Sequence, residues 1–338
     1  MRARAVLEVL AFLVLVAVVI ALPHLVSDFH SRELALVGVY FIALVGLNVL
    51  TGYSGQISLG HGTFMAIGGY TTAILTVDHG VRDLWTIPIG GAVAGLAGLL
   101  LGIPALRLSG LYLAIVTFGL AVSFRQVVIK YGHFTGGTTG KIMSLPKSEL
   151  GVHTTPNRWL YYLTWAIALV LLAVAWFLLR GRFGRTLQAV RDSEVAAVSS
   201  GVSVPLYKTL AFGISAFYAG VAGSLFAIAV FFVDPGTYAL QLSIWLVVGL
   251  AVGGLGSLSG MLAGAAVVYY LQYHADAIAR WANHLPGLSL DPKQPGIPSI
   301  VFGAVLIVIM LVLPAGVGGF LRRLLRPLTS RLYTRSSA

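Results

Sequence analysis

The sequence predicts an all-α integral membrane protein, and its composition supports this class in two ways. Hydrophobic residues make up 58% of the 338 residues and charged residues only 10%, whereas a soluble domain carries about 25% charged residues. The 40 glycines favour helices that approach closely in lipid, because small residues allow two backbones to touch. The absence of cysteine excludes disulfides, thiolate metal sites and cysteine nucleophiles.

The apolar runs predict about ten membrane-spanning helices, at roughly 20 residues per span. The first run has the length of a span, so we interpret it as an uncleaved helix and not as a signal peptide, whose apolar core is about 7–15 residues long. In the fourth run, the G-x-x-x-G spacings Gly91/Gly95 and Gly98/Gly102 predict close helix contact. The predicted helices cover residues 5–22, 34–50, 64–77, 84–104, 111–130, 159–179, 206–232, 240–255, 261–280 and 297–312.

The distribution of positive charge predicts the orientation of these helices. The net charge is +11, and no basic run is interleaved with aromatics, so we do not expect nucleic acid as a partner. Alternating the spans from an inside N-terminus places 13 of the 22 lysines and arginines on the cytoplasmic side, which is the expected bias. Both termini, the loop at 180–208 and the basic tail at 314–338 are therefore predicted to be cytoplasmic, and residues 131–158 to be outside.

A glycine-rich stretch at residues 51–62 interrupts the second and third predicted helices. Such a break frees backbone groups that are tolerated at membrane depth only where protein or a water-filled path satisfies them, so the stretch is a candidate for lining a solute path. The alternative is a plain turn with glycines for close packing. We expect Gly55 and Gly60 to have positive φ and His61 to make a helix-end hydrogen bond. The candidate path residues are Gly52, Ser54, Gly55, Gln56, Ser58, Gly60 and His61.

The loop at 180–208 is too polar to span a bilayer, yet its periodicity predicts one amphipathic helix over residues 185–200. Gly201 supplies a residue that can adopt positive φ at the helix end, and Pro205 prevents easy continuation. The apolar face needs a partner, which could be the lipid interface, the protein's own spans or a soluble subunit. The residues of that face are Leu187, Val190, Val195 and Val198.

No catalytic pattern is present, and no energy source is visible on the chain. The H-E-x-x-H and G-x-S-x-G motifs are absent, and the stretch at 135–142 fails the phosphate-loop pattern at Thr135 and Ile142. The ionisable residues near span ends are Arg125 and Asp276, which could pair with each other. We therefore expect a non-enzyme that receives work from another subunit. The alternatives are a self-sufficient secondary carrier or channel and, less favoured, a membrane enzyme.

Over nearly its whole length the chain resembles the LivM-type permeases of ABC importers for branched-chain amino acids. Four stretches carry the resemblance, at 46–70 (GLNVLTGYSGQISLGHGTFMAIGGY), 108–121 (LSGLYLAIVTFGLA), 135–146 (TGGTTGKIMSLP) and 183–227, which begins FGRTLQAVRDSEVAAVSSG. The resemblance implies a single permease domain over 1–338 in a bacterial inner membrane. It also implies a second permease subunit, two ATP-binding subunits and an extracytoplasmic amino-acid-binding protein, with ATP and Mg²⁺ on the partners and no cofactor on this chain.

The resemblance further implies that the loop at 180–208 docks onto the ATPases. The E-x-A-A-x-x-x-G core of that docking loop is matched here, and Ala197→Arg would be expected to place a charge in an ATPase cleft. The substrate stays open, since urea and short-amide permeases share much of the pattern and this chain has Thr139 and Lys141 where relatives often have an acidic or amide residue. The implied ATPase-coupling residues are Arg185, Arg191, Asp192, Glu194, Ala196, Ala197 and Gly201.

Overall fold

The computed structural model describes residues 16–105, 108, 110–144, 154–238, 240–274, 280, 297–313 and 316–320, and it is mainly helical over these ranges. Two short strands, β1 (Lys141–Ile142) and β2 (Phe232–Val233), pair antiparallel. The helices are α1 Val16–Leu25, α2 Asp28–Leu47, α3 His61–His79, α4 Asp83–Ala105, α5 Leu111–Lys130, α6 Gly132–Thr135, α7 Pro156–Arg180, α8 Arg182–Asp192, α9 Glu194–Ser199, α10 Val204–Val230, α11 Leu240–Gly253, α12 Gly260–Tyr273 and α13 Ile297–Val312.

Five helical segments of the described chain are long and apolar enough to cross a membrane. The bounds of α5 and α13 coincide with the prediction, while the total of about ten spans and the orientation of the termini stay predictions. The pairing of Arg125 with Asp276 and most of the tail at 314–338 fall outside the described residues. The five segments are Asp28–Tyr53, Asp83–Pro104, Leu111–Lys130, Pro156–Arg180 and Val204–Val230.

The core forms around α2 and α10, both of which are buried over most of their length. α10 packs against α2, α3 and α4, and small residues allow the close approach to α3 and α4. A Cβ atom at Gly68 of α3 would lie 2.0 Å from the carbonyl oxygen of Gly220 in α10, and one at Gly223 would lie 1.9 Å from that of Met65. The predicted close contact of the G-x-x-x-G glycines is confirmed, since all four on α4 pack against α10.

Polar contacts join neighbouring helix termini at each of the two opposite ends of the bundle. At the first, which we call the strand end, β1 pairs with β2 and Lys141 forms an ion pair with Asp78 at the end of α3. Also at the strand end, the Arg32 guanidinium near the start of α2 donates to the Ala229 carbonyl of α10 at 3.1 Å. At the other end, the loop end, α8 and α9 lie beside the interruption between α2 and α3. The chain therefore crosses the bundle repeatedly between two distinct faces.

Replacing Gly223 by alanine is expected to destabilise the core, because the added Cβ would clash with the Met65 carbonyl oxygen across the α3–α10 contact. Overpacking of this kind costs about 1–3 kcal/mol. Thermal unfolding in detergent should show a lower midpoint. The matched control is Gly119→Ala in α5, where a Cβ meets nothing within 4 Å and an alanine should stabilise the helix by about 0.5–1 kcal/mol. Equal midpoints for the two variants would contradict this account of the core.

Candidate functional site at the loop end

The second and third helices are interrupted as the glycine-rich stretch predicts. α2 continues into a π-helical segment, Asn48–Tyr53, and α3 begins at His61, which leaves a non-helical segment at 54–60 that we call the glycine break. Gly55 has a φ of +73°, as expected. The prediction for Gly60 is wrong, because its φ is −99° and it serves as the residue before the first turn of α3. Its small size matters instead, since a Cβ there would lie 3.1 Å from the Thr117 carbonyl oxygen of α5.

Neighbouring helices satisfy the backbone groups that the break sets free. The Leu59 amide donates to the Thr117 hydroxyl at 3.0 Å, and the Gly62 amide donates to the Ser243 hydroxyl of α11 at 2.9 Å. The π-helical segment is fastened by Asn48, whose side-chain oxygen accepts from the Gly256 amide at 2.9 Å. These partners come from α5, α11 and the turn before α12, so the break and the helix ends beside it are packed against three other segments of the chain.

Most of the candidate path residues are buried in this conformation. His61 is fully packed, and its Nε2 lies 2.9 Å from the Ala43 carbonyl oxygen of α2, which confirms the expected helix-end hydrogen bond. The Gln56 side-chain amide donates to the Ser54 hydroxyl at 2.7 Å. Gly52, Ser58 and Gly60 are also buried, whereas Gly55 is exposed. Within the described residues, no group of three or more His, Asp or Glu could hold a metal ion.

The loop at 180–208 forms two helices where the sequence predicted one. Ser193 has an extended backbone, with φ −161° and ψ 110°, and its hydroxyl accepts from the Ala196 amide at 3.2 Å, so it ends α8 and caps α9. The predicted single apolar face is therefore wrong. Leu187 and Val190 of α8 are buried, whereas Val195 and Val198 of α9 are exposed to 79% and 60%.

The helix α9 buries a different residue, Ala197, against Val190 and Val204. Ala197→Arg would consequently disturb the packing of this chain itself, so the variant would not report on a partner's cleft alone, and the contact of Ala197 with an ATPase stays a prediction. Gly201 ends α9 as predicted, with φ +80°. The following amide, of Val202, returns to the Ala197 carbonyl at 3.0 Å, which is the hydrogen bond of a glycine-terminated helix.

Arg191 connects the two candidate sets of residues directly. Its Nη1 donates to the Gly52 carbonyl oxygen at 2.7 Å, and its Nη2 lies 3.0 Å from the Asp192 carboxylate. The aliphatic part of the same side chain covers Gly55, where a Cβ would lie 2.7 Å from the Arg191 Cγ. The last turn of α8 therefore packs against the π-helical segment and the glycine break through Arg191.

A second connection runs through Lys208, in the second turn of α10. Its ammonium group donates to the Glu194 carboxylate at 2.6 Å, and the Lys208 side chain is 7% exposed against 50% for Glu194. A cavity of about 70 Å³ lies between this pair and the glycine break. On the outer side, an open groove of about 420 Å³ runs between α9 and the start of α10, with Val195, Val198 and Pro205 among its lining residues.

The structure therefore brings Arg191 and Glu194 to the glycine break, pairs Asp192 with Arg191, and leaves Arg185 and Ala196 exposed on the surface. Sequence reasoning missed Asn48 and Lys208. A buried asparagine or lysine in an otherwise apolar run was the available signal, because such groups need partners at membrane depth.

Comparison with known proteins identifies a family. A family model described as "Branched-chain amino acid transport system / permease component" matches residues 31–310. The high-affinity branched-chain amino acid transport system permease protein LivM of Salmonella typhimurium is 35% identical over 77% of this chain and 66% of its own length. LivM of Escherichia coli K12 is 37% identical over 72% of this chain and 63% of its own length.

The autoinducer 2 import system permease protein LsrC of Klebsiella pneumoniae is also similar, at 31% identity over 59% of this chain and 58% of that protein. The chain spans less than two thirds of the length of each LivM protein. No solved structure matches the chain.

Gly55→Ala is expected to destabilise the loop end in two ways, through positive φ and through a clash with Arg191. The left-handed conformation costs a residue with a Cβ about 1–2 kcal/mol. The control Gly201→Ala has φ +80° and nothing within 4 Å of its Cβ, so it should show the conformational cost alone. Unfolding midpoints should rank wild type, Gly201→Ala and Gly55→Ala in decreasing order.

The clash can be isolated in a double-mutant cycle. Arg191→Ala removes the side chain that covers Gly55, so the effects of Gly55→Ala and Arg191→Ala together should be smaller than their sum. Additive effects would show that Arg191 does not rest on the glycine break.

Proposed function

Because the chain belongs to the family of branched-chain amino acid transport permease components, we propose that it is the permease subunit of an ABC importer. In this proposal it forms half of the translocation path for branched-chain amino acids in a bacterial inner membrane. It catalyses no reaction and binds no cofactor, and separate subunits bind ATP and Mg²⁺. The long apolar helices support a multi-pass membrane protein.

The observation that carries the proposal is the arrangement of α8 and α9, which contact the glycine break on one side and expose apolar side chains on the other. On one side, Arg191 and the Glu194–Lys208 pair join these helices to the glycine break. On the other side, Val195 and Val198 expose apolar surface along an open groove. A segment with an unpartnered apolar face and a firm attachment to a helix break is suited to receiving a displacement from an ATPase subunit and passing it to the path.

The other proposed partners are a second permease subunit and an extracytoplasmic binding protein. The helix α5 is where we place the second subunit, because it contacts the glycine break at Thr117 and has an exposed face with Ile115 and Val122. With the loop end in the cytoplasm, the strand end would face the binding protein. There Lys141 is paired with Asp78, which gives this lysine a local role.

The substrate is proposed from the two LivM relatives, which are named for branched-chain amino acids. The local pairing of Lys141 removes one reason to assign another solute. Urea and short amides remain the alternative within the same transport mechanism, and competition of labelled leucine uptake by each compound distinguishes them.

The proposed orientation can be tested with single cysteines, since the chain has none of its own. Thr139, at the strand end, and Ser199, in α9, are both exposed. An impermeant maleimide should label Thr139→Cys in intact cells and should label Ser199→Cys only after the membrane is opened. The reverse pattern would place α9 outside and would remove the basis for docking an ATPase there.

The docking surface can be tested with Val195→Arg, which places a charge in the middle of the exposed apolar face of α9. In proteoliposomes that hold the whole assembly, ATP-dependent leucine uptake should fall at least tenfold, since burying an unpaired charge at an interface is costly. The control Val195→Leu keeps the apolar contact and should retain uptake.

Uptake by Val195→Arg at the wild-type rate would remove α9 from the interface. Separately, leucine accumulation by the purified chain alone, driven by a pH or sodium gradient, would favour the secondary carrier over the ABC permease.

A further inference from the structure

The buried cation Lys208 stands out among the charged residues at the loop end. It is the fifth residue of α10, the helix at the centre of the core, and its side chain is 7% exposed. Moving an ammonium group out of water is expensive unless a partner and hydrogen bonds compensate for the lost hydration. In the described chain its ammonium contact is the Glu194 carboxylate at 2.6 Å.

Stability alone does not explain why a lysine occupies this position. Replacement of a buried ion pair by apolar residues of similar volume is often neutral or stabilising, and the surroundings of Lys208 include the apolar residues Val190, Val204 and Pro205. A directional ion pair differs from an apolar contact because it fixes one helix at one register against another. Glu194 is the first residue of α9, so the pair holds the end of that helix.

Lys208 also contacts the glycine break, through its backbone carbonyl. The Gln56 amide nitrogen lies 3.4 Å from the Lys208 carbonyl oxygen while it donates to the Ser54 hydroxyl at 2.7 Å. Glu194 and Lys208 line both the cavity of about 70 Å³ beside the break and the open groove of about 420 Å³ outside it. The pair therefore forms the wall between the groove and the glycine break.

We propose that Lys208 is a positioning residue: through its ion pair with Glu194, it fixes α9 against α10 and the glycine break, so that a displacement of α9 is passed to the break. This inference rests on the proposed function, because it assigns the route by which work from the partner subunit reaches the path. Arg191 provides the corresponding contact for α8, so each of the two helices has its own attachment on either side of Ser193.

The first test is geometric and needs no transport. Cysteines at Ser199 in α9 and Ile57 in the break, both exposed, carry spin labels in the otherwise cysteine-free chain. The distance distribution should have one narrow peak in the wild-type background. Lys208→Met should at least double its width, and Lys208→Arg, which retains the charge, should restore it. A narrow peak in Lys208→Met would overturn the proposal.

The second test uses the whole assembly in proteoliposomes and measures leucine accumulated per ATP hydrolysed. Lys208→Met should lower this ratio about tenfold, and Lys208→Arg should recover most of it. The control Lys130→Met changes an exposed lysine at the far end of α5 and should leave the ratio within twofold of wild type.

A wild-type ratio in Lys208→Met would overturn the positioning role. So would a parallel loss of assembled complex, uptake and hydrolysis at a constant ratio, because that result describes a merely structural residue. If the wild-type assembly accumulates no leucine with ATP, the proposed function fails instead, while the distance measurement still decides whether Lys208 positions α9.

Discussion

The constraint on which the loop end depends is the need to satisfy backbone groups that a helix break sets free inside the protein. Residues 54–60 are not helical, and unsatisfied amides and carbonyls at membrane depth are costly. Hydroxyls of Thr117 and Ser243 and the guanidinium of Arg191 supply partners from three other helices. Part of the hydrogen bonding in and beside the break therefore depends on α5, α8 and α11, which couples its shape to their positions.

Hydropathy predicted the long helices well because a span needs about 20 apolar residues and few charges. The observed bounds of α5 are the predicted ones. The G-x-x-x-G contacts of α4 were predictable for a related reason, since small residues at that spacing face one neighbour. The division at Ser193 was not predicted. The apolar periodicity runs through it, and only the capping preference of serine before Glu194 signalled a new helix.

The ion pair of Lys208 could not be predicted from the sequence, because it joins residues 14 positions apart on helices whose relative placement depends on Ser193 and Gly201. The sequence placed Lys208 where the basic loop meets the predicted helix at 206–232, but its burial and its pairing with Glu194 come from the packing of α9 against α10. The candidate path residues were found together because they share one glycine-rich stretch. Their contact with α8 and α9 is a property of the tertiary structure alone.

The division of the loop at 180–208 into two helices changes how its apolar residues are used. In a single helix the four predicted residues would share one face and would be buried or exposed together. The extended residue Ser193 rotates α9 so that Leu187 and Val190 bury against this chain while Val195 and Val198 remain outside. The loop thereby packs against its own protein through Leu187 and Val190 and leaves Val195 and Val198 exposed. In a continuous helix the four residues would lie on one face, so the extended backbone of Ser193 is what separates the buried pair from the exposed pair.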